Sequence, residues 1–265
     1  LRWLAATSVV PLIGCGTSNS VEADGGTSGA GTSGGESGSG TGGGAGSTGT
    51  GNIGACTKIP AETGGPFPGD GTNGPNVLTL DGVARRDITS SIGTASGKAE
   101  GVPLTVKLNL LDLGSKCVGL GGYAVYIWHC DRAGNYSMYS AGALNENYLR
   151  GVQETDDDGL VTFKTIMPGC YAGRWPHIHF EVYKDLKAAS SGVNAIATSQ
   201  LALPKDICDE TYATTGYEAS VTNLKGVTLR SDGVFSDDGA VHELVTATGS
   251  VSKGYVATLD VGVSS

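Results

Sequence analysis

From residue 75 onward, short apolar runs are separated by turn-forming residues. In "LTVKLNL" (104–110) and "VTFKTI" (161–166) apolar side chains fall at every second position, the period of a strand with one buried face. The same reading predicts strands at 76–80, 103–113, 123–129, 160–166, 177–183, 199–203, 226–229, 243–249 and 254–263. Gly, Asp, Asn and Pro punctuate the gaps, as in "ETDDDG" (154–159) and "RSDG" (230–233). One segment, "PKDICDETYA" (204–213), predicts a helix, because proline suits a first turn and good helix formers follow. Many short strands, few short helices and no internal repeat make the expected fold all-β, an antiparallel β-sandwich or barrel.

The first 54 residues have a different character. Residues 1–15 read "LRWLAATSVVPLIGC", an apolar run too short to span a bilayer but suited to a signal-peptide core. Its end, Leu12-Ile13-Gly14-Cys15, resembles a bacterial lipobox, which implies lipidation of Cys15; an ordinary cleaved secretion signal is the alternative. Residues 16–54 are dominated by Gly, Ser and Thr and have little apolar surface to bury, so a tether is expected there. Residues 55–265 are left as one domain. The expected location is extracytoplasmic, with membrane contact only through the lipid anchor. The formal net charge of -9, without a basic cluster, argues against nucleic acid as a partner. Six cysteines suit an oxidising compartment. With Cys15 lipidated, the other five allow at most two bridges, whose pairing stays open.

The chemistry concentrates in "PGCYAGRWPHIHF" (168–180), which holds two of the four histidines. On a strand, side chains at i and i+2 share a face, so His177 and His179 stand side by side while Ile178 and Phe180 turn the other way. Two adjacent imidazoles can ligate one metal ion. Tyr171 follows a Pro-Gly turn six residues earlier, and Tyr136 ends the segment "YIWHCDRAGNY" (126–136). Phenolate is a hard anionic oxygen ligand. Two phenolates and a hydroxide match the charge of Fe(III), and two neutral imidazoles complete five-coordination. Trp128 and Trp175 are expected in the core or pocket wall, His129 at the surface or hydrogen-bonded, and His242 exposed. Cys130 and Cys170 either bridge or remain buried thiols.

The chain here resembles the intradiol ring-cleavage dioxygenases, especially the protocatechuate 3,4-dioxygenase type. The resemblance is carried by "VYIWHCDRAGNY" (125–136), "YLRGVQETDDDGLVTFKTIMPGCYAGRWPHIHF" (148–180) and, more weakly, "TSQLAL" (198–203), with "ETGGPFP" (62–68) like the family's opening segment. It implies a β-sandwich of that family's type and a non-haem Fe(III) held by Tyr136, Tyr171, His177 and His179. It implies cleavage of a catechol-type aromatic diol with O2 to a cis,cis-muconate-type product. Tyr171 is implied as the ligand that leaves for substrate and takes its proton, Arg174 as stabiliser of charge on the substrate ring, and Gln200 as a neighbour of the oxygen-reactive carbon. The segment between Tyr171 and Arg174 is shorter than in the protocatechuate enzymes, which puts the pocket wall and substrate choice in question. Two rivals remain open. One is a different metalloenzyme using the same His-x-His with a third His or carboxylate; the other is a tethered sandwich that binds metal or ligand without dioxygenase activity.

Overall fold

The computed structural model describes residues 56–265; the leader-like run 1–15 with Cys15 and the Gly/Ser/Thr-rich stretch 16–54 lie outside the described residues. In chain order the strands are β1 (Pro103–Asp112), β2 (Val118–Gly119), β3 (Ala124–Trp128), β4 (Arg150–Glu154), β5 (Leu160–Ile166), β6 (His177–Tyr183) and β7 (Ala197–Ala202). Two helices follow, α1 (Lys205–Tyr212) and α2 (Glu218–Lys225), and then β8 (Thr246–Ser250) and β9 (Gly254–Val263). One sheet runs β2-β1-β9-β8 with β5 also paired to β1, and the other runs β4-β3-β6-β7. All pairings are antiparallel except β1 with β9, which is parallel from Leu104↔Tyr255 to Asp112↔Val263. The β8–β9 hairpin sets that direction. No described helix is long and apolar enough to cross a membrane.

The core lies between the sheets. On β1, Leu104, Val106, Leu108 and Leu110 are buried while the alternate positions are partly open, as the period of two requires. Val125, Ile127, Ile178, Phe180, Val182 and Leu201 meet them from the second sheet. The outer face of that second sheet is not solvated. Tyr126, Trp128 and Tyr183 lie there under Val77, Leu78 and Val83. Every residue of β3 and β6 is therefore buried, polar ones included.

Arg150 fastens the cover to the sheet. Its side chain is fully buried and donates from Nε to Ser137 Oγ, from Nη1 to Pro68 O and Tyr126 Oη, and from Nη2 to Phe67 O and Ser137 O. A rigid guanidinium can meet this many acceptors at once, which Lys cannot.

Some elements differ from the expected ones. Residues 76–80 form turns, because the Asn76 side chain accepts the Leu78 N–H and the apolar Val77 and Leu78 pack as cover rather than joining a ladder. Residues 226–229 are also turns, closed by Thr228 and Ser231. The short β2 and β4 and helix α2 went unpredicted. One disulfide joins Cys56 to Cys117, and Cys130, Cys170 and Cys208 are buried free thiols. His129 is buried and hydrogen-bonded to Cys130 O and Thr165 Oγ1, while His242 is exposed.

Replacing Arg150 by Ala leaves the carbonyls of Phe67 and Ser137 without this donor and Pro68 O with the Tyr126 hydroxyl alone. Stability by denaturant unfolding is expected to fall by about 3–5 kcal/mol; a loss below about 1 kcal/mol rules out the fastening role.

Candidate metal centre

Strand β6 presents His177 and His179 on its covered face. His179 stands opposite Trp128 of β3, and the two rings stack with centroids 4.9 Å apart and planes 5° from parallel. His177 Nδ1 lies 2.5 Å from Trp175 O; donating there leaves the Nε2 lone pair free to face inward. Gly65, at φ +68°, brings the covering segment over His179, where a Cβ would sit 3.4 Å from the ring.

Tyr136 follows β3 through a tight turn. The Asp131 side chain accepts the N–H groups of Ala133 and Asn135, and the Tyr136 N–H donates to Ser140 Oγ. Gly134 takes φ +88° in that turn, and a Cβ on it would lie 3.2 Å from Tyr171 Cβ, so the two tyrosine loops meet there. Tyr171 belongs to a loop held by the helices. Cys170 N–H donates to Ser220 Oγ, Asn223 Nδ2 donates to Cys170 O, and the hydroxyls of Tyr212 and Tyr217 donate to Pro168 O and Met167 O. Helix α2, unpredicted from the sequence, thus helps position a site residue.

These elements bring four donor atoms to one point. Tyr136 Oη lies 3.4 Å from Tyr171 Oη, 3.4 Å from His177 Nε2 and 3.3 Å from His179 Nε2. His177 Nε2 lies 3.2 Å from both Tyr171 Oη and His179 Nε2. These are long for hydrogen bonds, but atoms each about 2.0–2.1 Å from a shared ion stand this far apart when they subtend roughly 100–110°. Burial, with Arg174 nearby, lowers His177 to about 3, and burial with His177 and Arg174 lowers His179 well below its usual value. Both imidazoles are neutral, the form in which a histidine can bind a metal. Burial raises the phenols of Tyr136 and Tyr171, so their ionisation calls for a strong positive centre between them. Among the described residues no group of three or more His, Cys, Asp or Glu could hold a metal ion. The donor set, two imidazoles and two phenols, fits a hard trivalent ion such as Fe(III).

Arg174 and Gln200 adjoin the four donors. Arg174 donates from Nε to Asp232 at 2.9 Å and from Nη2 to Gln200 Oε1 at 2.6 Å. Gln200 stands opposite His179 in the β6–β7 ladder, and its Nε2 donates to Thr63 O. Asp232 is fully buried and also accepts the N–H groups of Trp175, Val234 and Phe235. Those donors hold its carboxyl below the usual range against burial, which acts the other way. Sequence reasoning missed Asp232 because "RSDG" reads as a turn; its partner lies 58 residues away. It also missed Arg150, whose position in the middle of "YLRG" gives no sign of burial.

Residues 74–186 match the Dioxygenase family. No curated protein matches the chain. Among solved structures, the chain is similar to an intradiol ring-cleavage dioxygenase from Tetranychus urticae, with 23% identity, 79% of this chain and 95% of that one covered, and a TM-score of 0.60. It is also similar to the dioxygenase domain of a dioxygenase carbohydrate-binding protein fusion from Streptomyces sp. SirexAA-E (22% identity, 78% and 99% covered, TM-score 0.49). A third is hydroxyquinol 1,2-dioxygenase from Pseudomonas putida DLL-E4 (17% identity, 79% and 67% covered, TM-score 0.48). At such identities the first of these establishes a shared fold, and the family match adds the relation in sequence. Residues 74–186 thus carry a match to the Dioxygenase family, and the described domain shares the fold of an intradiol ring-cleavage dioxygenase.

Proposed function

We propose that the protein is an Fe(III)-dependent intradiol dioxygenase that opens the ring of a catechol-type diol with O2, giving a cis,cis-muconate-type product. The observation that carries this is the convergence of Tyr136, Tyr171, His177 and His179 on one buried point. When bound there, Fe(III) supplies a positive centre that binds both oxygens of the diol and draws electron density from its ring, preparing it for O2.

The chain's own residues divide the remaining work. Tyr136, His177 and His179 are buried, whereas Tyr171 is only partly buried. Tyr171 Oη is thus the group placed to accept a proton from an incoming diol hydroxyl. Arg174 keeps 17% of its side chain open, enough to present positive charge to the ring, while Asp232 and Gln200 fix its plane. Gln200 is fully buried with both ends of its amide engaged, so we assign it to positioning Arg174. Trp128 stacks on His179 and excludes water from that side. The Cys56–Cys117 bridge supports action outside the cytoplasm, and lipidation at Cys15 remains the proposed anchor.

Iron loading is expected to give a broad visible phenolate-to-Fe(III) band that shifts when catechol is added. Tyr136→Phe and Tyr171→Phe each alter the band and the double substitution abolishes it, as absorption spectra will show. A protein that stays colourless with iron overturns the reading.

Asp232→Asn weakens the hold on Arg174 and is expected to lower kcat/KM by roughly 10–100-fold, while iron content by metal analysis stays within about twofold. Arg174→Lys does not rescue, since one ammonium cannot meet Asp232 and Gln200 in the guanidinium's plane. Full activity in either variant removes Arg174 from the proposed role.

A further inference from the structure

The loop that supplies Asp232 runs on towards β8 and carries three more acidic side chains, Asp237, Asp238 and Glu243. Phe235 fixes this loop beside the centre. Its ring lies 6.4 Å from that of His177, and the Arg174 guanidinium carbon lies 5.8 Å from its centroid. The segment before Phe67 adds Glu62 from another direction. Its N–H donates to Thr198 O, and the next residue, Thr63, accepts the Gln200 amide. Glu243 closes the other end of the loop, where its carbonyl accepts the N–H of Ala202, the residue opposite His177 in the β6–β7 ladder. Burial and then Asp237 and Asp238 raise the Glu62 carboxyl, which also feels Arg174. Burial and then Asp238, Glu62 and Asp237 raise Glu243 to about 8.

Glu243 has no visible reason to be where it is. It is fully buried, and among the described residues neither carboxylate oxygen has a partner at hydrogen-bond distance, the neighbouring His242 N–H being the one donor that acts on it. A carboxyl in that position is costly unless a cation or a donor meets it. Its charged neighbours are carboxylates. Arg174, the cation that acts on Glu62, is already paired with Asp232 at 2.9 Å. The acidic side chains here therefore lack a cation of their own, and Glu243 is held protonated at neutral pH until one arrives.

We propose that Glu62, Asp237, Asp238 and Glu243 form a cation-recognising wall of the active site, which selects a catechol bearing an ammonium group over one bearing a carboxylate. This rests on the dioxygenase reading above and names its substrate class. Asp237 is exposed and Glu62 partly so, and they meet the substrate's charge first; Glu243, buried behind them, ionises when that charge arrives. The diol edge of the ring goes to the metal ligands, so a charged substituent on the ring is what the wall discriminates.

The test compares three probes on the iron-loaded full chain: 4-(2-aminoethyl)catechol, catechol and 3,4-dihydroxybenzoate. We expect kcat/KM to favour the ammonium probe over the carboxylate probe by roughly tenfold or more at low salt. Anaerobic dissociation constants from the visible band should show the same order, and raising KCl should shrink the preference. The double variant Glu62→Gln/Asp237→Asn alters only partly or fully exposed side chains, so folding is preserved; it should cut the ratio roughly fivefold, with Glu243→Gln as an independent second variant. Equal or better use of the carboxylate probe, or a ratio that these variants leave unchanged, overturns the inference while turnover of catechol preserves the dioxygenase reading. No turnover and no spectral response with any probe overturns both.

Discussion

A strand sends alternate side chains to opposite faces, and β6 sits in a sheet that is covered on both. Ile178, Phe180 and Val182 lock it into the sandwich core, and this holds His177 and His179 at fixed depth on the far side. A slip of one residue in the ladder would exchange the two sets, placing imidazoles in the hydrophobic core. The same burial that secures the register dries the site. It keeps both histidines neutral and makes the tyrosines poor acids until a cation arrives.

Around that strand the other groups come from loops, and loops hold position only where something clamps them. The clamps here span long stretches of chain. Arg150 ties the covering segment and Ser137 together, helix α2 grips Cys170, and Asp232 joins Arg174 to the loop before β8. Together with Gln200 and Thr63, the last of these makes a continuous run of hydrogen bonds past the ligands. Geometry at the centre is thereby coupled to parts of the fold that never touch it.

How much of this was legible follows from which forces act locally. β5 and β9 keep the bounds read from the sequence, because alternation and flanking turns are properties of the segment itself. The His-x-His pair was legible for the same reason. Tyr136 and Tyr171 were not joined to it by any local rule; the family resemblance brought them in. Asp232, Arg150 and α2 were illegible, since each draws its meaning from partners distant in the chain. Val77 and Leu78 misled in the opposite sense, because apolar character marks burial and does not distinguish a ladder strand from a lid.

Among the described residues three cysteines are unpaired, and they bear on how such a centre would last in contact with oxygen. Cys130 and Cys170 flank the tyrosine loops, and burial holds the thiol of Cys170 up at about 12 and that of Cys130 higher still. The thiolate is the species that binds metal, attacks disulfides and is oxidised first. Kept protonated, these sulfurs would neither compete with the phenols for a trivalent ion nor offer an easy target to oxygen. The fold thus places two soft donors beside the candidate metal centre in a form that is chemically silent.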